Sequence, residues 1–235
     1  DFSVLGQNWG LPTYNWERMS QDGFKWWENR MRKMSEYFDL YRIDHILGFF
    51  RIWQIPMSAV HGLLGVFNPA LPYTPDEMRN NYDFWINPDL QCKPYIMDYF
   101  LADFFEEYTE EAKSLYLESI GGGRYKLKPE VDTQQKVAEL FASYEKTDKN
   151  NKLENALCGL LDEVLFIEDP EEHGKYHPRI SAQFTYIYRS LNDYEKWCFN
   201  RMYNDFYYHR HNDFWYGKAM WKLPALVNST DMLVC

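Results

Sequence analysis

Between Tyr41 and Trp53 the chain reads Tyr-Arg-Ile-Asp-His-Ile-Leu-Gly-Phe-Phe-Arg-Ile-Trp, an apolar, strand-like run that sets an arginine and an aspartate two positions apart. Successive residues of a strand point to opposite faces, so Arg42 and Asp44 are expected to project together, into a space that Ile43, Ile46 and Leu47 help enclose. Burying two charges costs on the order of several kcal/mol each unless they are paired and hydrogen-bonded. Two readings fit such a pair. One is a structural ion pair; the other is a carboxylate held ionised by a guanidinium for nucleophilic or electrostatic work, with His45 and Gly48 beside it.

The preceding segment narrows the fold. Phe24, Trp27, Met31, Met34 and Phe38 alternate by three and four, which predicts a helix with one apolar face, capped by Ser20 or Asp22. A helix delivering the chain to a short buried strand with a charged end is the rhythm of an α/β barrel, whose chemistry gathers at the strand ends. After Pro56 the rhythm fails at Asn68-Pro-Ala-Leu-Pro-Tyr-Thr-Pro75 and Asn87-Pro88. Helical patterns then run from about Asp98 to Ser119, stopped by Gly121-Gly-Gly123, from about Thr133 to Lys146, with Asp132 and Gln135 as a capping pair, and from about Asn151 to Phe166. Strands are scarcely visible among them. A helix over about Asn192 to His209 follows, then another ending near Leu223-Pro224, and Met232–Cys235 reads as the next strand.

The expected fold class is therefore α/β, mostly α by content: a partial TIM (β/α)8 barrel carrying a largely helical insertion. Residues 1–56 would be a barrel segment, 57–180 the insertion, and 181–235 barrel helices with the start of the next strand. The chain begins at Asp1 with no initiator methionine and stops in a strand-like run, which reads as an internal piece of a longer protein.

A formal net charge of -10 over 235 residues argues against a nucleic-acid partner, since phosphate binding needs clustered Lys and Arg. No apolar run of about 18 residues is present, so no membrane partner is expected. Cys92, Cys158, Cys198 and Cys235 are scattered, without metal-ligand spacing, and fit a reducing cytoplasm. His173 and His177 are separated by Gly174 and followed by Pro178, so no metal site is expected there. His209-Arg210-His211 reads as a solvated or capping helix end, and the glutamate pairs at 106–107, 110–111 and 171–172 as exposed faces. Aromatic residues make up 19% of the chain, with nine Trp. Most of these rings belong in cores; those in loops beside the motifs, Trp9, Tyr14 and Trp53, are candidates for packing on sugar rings.

Two motifs carry a resemblance. Tyr41–Trp53 resembles the fourth-strand motif of the amylomaltase, or disproportionating enzyme, family of 4-alpha-glucanotransferases. Gly6-Gln-Asn-Trp-Gly-Leu-Pro-Thr-Tyr-Asn-Trp16 is similar to the same family's glycine-glutamine-x-tryptophan-glycine-x-proline loop. The resemblance implies that Asp44 is the nucleophile of a retaining double displacement on α-1,4-glucans or maltooligosaccharides, that Arg42 supports it, and that His45, Gln7 and Trp9 contact sugar. It implies no cofactor. It also implies a glutamate acid/base on a later strand and a further aspartate, both outside this chain, so that the chain alone is expected to be inactive. The long insertion resembles the larger family form, which processes maltose against a branched soluble acceptor. An α-glucan hydrolase of the same superfamily and a non-catalytic glycan- or protein-binding helical module are the alternatives.

Overall fold

The amphipathic stretch predicted from Phe24 forms the helix Lys25–Ser35, and Asp22 Oδ1 accepts the Lys25 N–H at 3.2 Å, so Asp22 supplies a hydrogen bond to its first turn. This computed structural model describes residues 4–235. They divide into two compact units: one holds the described residues up to Trp9 with Ile55–Val66 and Pro72–Asn204, the other Gly10–Gln54, Phe67–Leu71 and Asp205–Cys235.

In the second unit, Leu40–Tyr41 pairs in parallel with Leu233–Val234, Leu40 opposite Leu233 and Tyr41 opposite Val234. The ladder continues by one bond, from Ile43 N–H to Cys235 O at 2.8 Å. Met31 of the helix Lys25–Ser35 packs with Tyr41 and Met232, flanked by Trp27, Met34 and Ile43. The helix Asn212–Val227 leads into the second strand and runs through Pro224, past the expected end. Proline removes one helical hydrogen bond, but the residues beyond it carry Leu226 into the core at 2% exposure. Two parallel strands, each preceded by a helix, make this α/β; among the described residues no closed barrel is formed.

The first unit is mostly helical. Its core joins Phe100, Leu101 and Phe105 to Val137 and Phe141 of the helix Gln134–Ala142 and to Leu153, Leu157 and Leu160 of the helix Asp148–Leu161. Four sequence expectations change here. The run from Asp98 is not one helix: Glu106 takes φ 49°, dividing Leu101–Phe105 from Thr109–Tyr116. Leu117–Gly121 is then a strand, antiparallel to Arg124–Leu127, which also pairs with Ile96–Met97. Gly122 and Gly123 form the hairpin turn between them, after Gly121 at the strand end; all three take positive φ that a side chain resists, and they are not a helix stop.

Third, the caps are threonines. Thr133 Oγ1 accepts the Lys136 N–H and Thr147 Oγ1 the Asn150 N–H, each at 3.2 Å, whereas Asp132 pairs with Lys136 Nζ at 2.6 Å. The final helix of the three thus starts at Asp148 and ends at Leu161, because Phe166–Glu168 pairs antiparallel with Tyr176–Pro178. Fourth, part of the proline-rich excursion is regular. Thr74 and Glu77 form a capping box with Pro75 at the first position of the helix Pro75–Tyr82. The glutamates at 106–107, 110–111 and 171–172 are exposed as expected, several of them paired with lysines.

Leu157 is fully enclosed in this core. Leu157→Ala is expected to cost about 2–5 kcal/mol of stability, read as a shift in the denaturant midpoint of the chain.

Candidate functional site

The parallel ladder sets the geometry around Asp44. Alternation holds from Tyr41 to Asp44: Tyr41 and Ile43 face the core, Arg42 and Asp44 the other side. The expected pairing is present, Arg42 Nη2 to Asp44 Oδ1 at 2.5 Å. The expected enclosure is not. The side chains of Arg42 and Asp44 are 74% and 82% exposed, Ile46 and Leu47 are exposed as well, and Ile43 lies on the opposite face. An exposed pair is worth about 0–1 kcal/mol, so it adds little to the stability of the fold.

The strand does not continue past the pair. His45 adopts φ 54°, ψ 54°, and Ile46–Phe49 forms a single 3-10 turn before the strand Ile52–Gln54. A left-handed conformation is unfavourable for a residue with a Cβ, and such strain collects at functional sites. It turns the chain sharply immediately after Asp44.

Tyr14 sits beside Trp16, Trp26 and Trp27, with ring centroids 5.3, 6.0 and 5.2 Å away, and Trp16 in turn meets Phe49 at 5.2 Å. Trp53 packs edge-on against Phe67 at 4.8 Å; Arg51 lies over the rings of Phe67 and Trp215 at 5.3 and 4.5 Å. Tyr14 and Trp53 are thus partly engaged by other rings. Gln7 and Trp9 belong to the other unit, where both are exposed, Trp9 at 74%.

The comparisons with known proteins fit these motifs. The model of the 4-alpha-glucanotransferase family matches residues 1–232. The chain belongs to that family. The 4-alpha-glucanotransferase DPE2 of Oryza sativa subsp. japonica is 38% identical over 240 aligned residues, covering all of this chain and 25% of the rice protein. A 4-alpha-glucanotransferase of Streptococcus pneumoniae is 52% identical over 59 residues, 25% of this chain and 12% of that protein. The chloroplastic/amyloplastic 4-alpha-glucanotransferase of Solanum tuberosum is 44% identical over 64 residues, 27% and 11% respectively. The chain spans a quarter of the length of its rice relative. No solved structure gives a significant match.

Several polar groups are buried in places that the sequence did not signal. Lys222 is 1% exposed, with its ammonium 4.8 Å from the centre of the Trp16 ring. Burial, with help from the charge of Lys218 and against that of Glu17, depresses its pKa to about 8. Its setting in a helix gives no sequence signal, because lysines normally face water. Burial likewise raises Glu163 to about 7; its carboxylate accepts the Tyr186 N–H at 2.6 Å and so caps the start of Tyr186–Ser190. His177 is buried on Asp169 at 2.8 Å, where burial lowers its pKa against the pull of that carboxylate. His211 is buried, not solvated: Nδ1 donates to Phe206 O at 2.8 Å, capping a helix carbonyl as expected, and Nε2 accepts the Leu71 N–H at 2.9 Å. The hydroxyl of Tyr41 and the indole N–H of Trp27 are buried with no hydrogen-bond partner among the described residues, each at a cost of about 1–3 kcal/mol.

Two outcomes are expected. His45→Gly relieves the left-handed strain and leaves the full-length protein at least as stable, by up to about 1 kcal/mol in chemical denaturation. Lys222 binds its proton less tightly folded than unfolded, so stability rises as pH climbs from about 8 towards the ordinary lysine range. Lys222→Met flattens that rise in thermal melts taken across the window.

Proposed function

We propose that the full-length protein is a 4-alpha-glucanotransferase that moves glucosyl or maltodextrin units between α-1,4-glucans with retention of configuration. The observation that carries this reading is the Arg42–Asp44 contact at the end of a parallel strand, inside the motif by which the chain resembles its family. Asp44 attacks the anomeric carbon and displaces the glycosidic oxygen, which takes a proton from a second carboxyl group about 5–5.5 Å away. The resulting β-linked glucosyl ester is then attacked by a sugar 4-hydroxyl. That hydroxyl gives its proton back to the same second group, the Asp44 carboxylate leaves, and an α-linkage is restored. The second carboxyl belongs, in this reading, to the remainder of a protein of which this chain is one part. The chemistry runs on carboxylates alone and calls for no cofactor.

Arg42 keeps the carboxylate turned towards the sugar, and the bend at His45 presents the imidazole to donor hydroxyls. Gln7, as a hydrogen-bonding side chain, and Trp9, as an open ring face, are read as sugar contacts of the other unit; Tyr14 and Trp53, already packed on neighbouring rings, are read as weaker ones. The strands Leu40–Tyr41 and Leu233–Val234 are read as two neighbours of a (β/α)8 barrel, and residues 57–180 as an insertion of the larger, maltose-processing type. Alignment of the rice relative over the entire chain, against about a quarter of it for the bacterial and potato proteins, supports an insertion shared with the rice protein.

Incubated with maltotriose, the full-length protein is expected to give longer oligosaccharides together with glucose; products that only shorten would identify a hydrolase. Asp44→Asn should lower transfer by a thousandfold or more, on the order seen for lost nucleophiles, with an unchanged melting temperature because the side chain is exposed. Unchanged turnover would leave the Arg42–Asp44 pair merely structural.

A further inference from the structure

A buried polar network in the first unit ends on the backbone next to the glycine-glutamine loop. Gln134, at the start of the helix Gln134–Ala142, is 1% exposed, and its Oε1 accepts two backbone N–H groups, from Val60 and His61, each at 2.8 Å. Its Nε2 donates to Cys158 O at 2.9 Å and to Asp162 Oδ1 at 2.8 Å. The other oxygen of Asp162 meets His61 Nδ1 at 2.6 Å. With both Gln134 amide hydrogens committed, Nδ1 of His61 is the donor to that carboxylate. The Gln135 N–H adds a bond to Ser58 O at 3.0 Å. Ser58–His61 is therefore fixed to the start of one helix and the end of another, and every polar group of Gln134 and Asp162 that builds the tie has a partner.

This turn delivers Gly62 against Gly6. A Cβ on Gly62 would stand 3.0 Å from Gly6 Cα and 3.3 Å from both Gln7 N and Leu5 O; a Cβ on Gly6 would stand 2.9 Å from Gly62 Cα. Gly6 also sits at φ +78°, which glycine alone adopts freely. The two backbones touch with no room for a side chain, and Asn8 Nδ2 reaches Ala59 O at 3.4 Å a little further along. The position of Leu5–Asn8 is thus set by the turn, and that of the turn by Gln134 and Asp162.

We propose that Gln134, His61 and Asp162 are positioning residues for the glucan-contacting loop, acting through the Gly62–Gly6 contact to hold Gln7 and Trp9 in place. The helices that follow the nucleophile turn in sequence thereby tune sugar binding without touching sugar. This rests on the reading of Gln7 and Trp9 as sugar contacts. Uniform sugar binding governs KM more than kcat, so loosening the loop is expected to show in KM.

The test uses the full-length protein and four variants. Gly62→Ala and His61→Leu should raise KM for maltotriose about five- to tenfold with kcat within about twofold, and should speed amide hydrogen exchange over residues 5–9. His61→Asn, which keeps a donor at the Nδ1 position, should recover most of both effects. Gly217→Ala, at a glycine with open space around it, should change neither. Unchanged exchange at residues 5–9 in Gly62→Ala and His61→Leu overturns the proposal, as does a lowered melting temperature with KM unaltered. If the parent protein transfers no glucosyl units, the functional reading is what has failed, and hydrogen exchange still decides whether the network holds the loop.

Discussion

The parallel pairing of Leu40–Tyr41 with Leu233–Val234 is the constraint from which the geometry around Asp44 follows. Its last hydrogen bond, Ile43 N–H to Cys235 O, keeps the backbone extended through Ile43 and so preserves the alternation that puts Arg42 and Asp44 on one face. Tyr41, on the other face, anchors the strand against Met31 and Met232. Where the ladder ends, nothing holds the chain extended, and it bends at His45. Pairing and packing thus place a carboxylate at a strand terminus, held by a neighbour two residues away and exposed to whatever approaches.

That exposure changes the meaning of the arginine. In a buried pair the guanidinium would be needed to offset desolvation of the carboxylate. Here both side chains stand in water, and the pair adds little to stability. The arginine holds one oxygen of Asp44, at 2.5 Å, and in the functional reading proposed above that contact sets the direction of the carboxylate. The left-handed backbone at His45 carries strain that a glycine there would not.

Much of this was legible in the sequence. The i, i+2 spacing foretold that Arg42 and Asp44 would meet, the three-four periodicity foretold the helix from Phe24, and Met232–Cys235 was readable as a strand. Enclosure of the pair was not, because apolar neighbours such as Ile46 and Leu47 say only that a segment tends to be buried, and burial is decided by what packs against it. In the helical unit, the break at Glu106 left no mark in the periodicity, and three successive glycines serve a hairpin turn as well as a helix stop. The capping box at Thr74-Pro-Asp-Glu77 was a signal in plain view, masked by the prolines around it.

The network of Gln134, His61 and Asp162 had no sequence signature at all, since Gln134 and Asp162 lie 73 and 101 residues from His61 and 28 from each other along the chain. A glutamine at the first position of a helix ordinarily faces water. Here it is buried, because two backbone N–H groups of a turn need an acceptor and its amide also has donors for the end of a second helix. Removing such a residue leaves several buried groups unpaired at once, each at a cost of about 1–3 kcal/mol. Removing one apolar side chain from the same core leaves a space into which neighbours can partly relax. The polar tie is therefore the less forgiving of the two, and it fixes the register of one stretch of backbone against another where a hydrophobic contact would tolerate sliding. Two glycines in contact need that kind of register, because a shift of one residue at Gly62 would bring the side chain of His61 or Leu63 against Gly6.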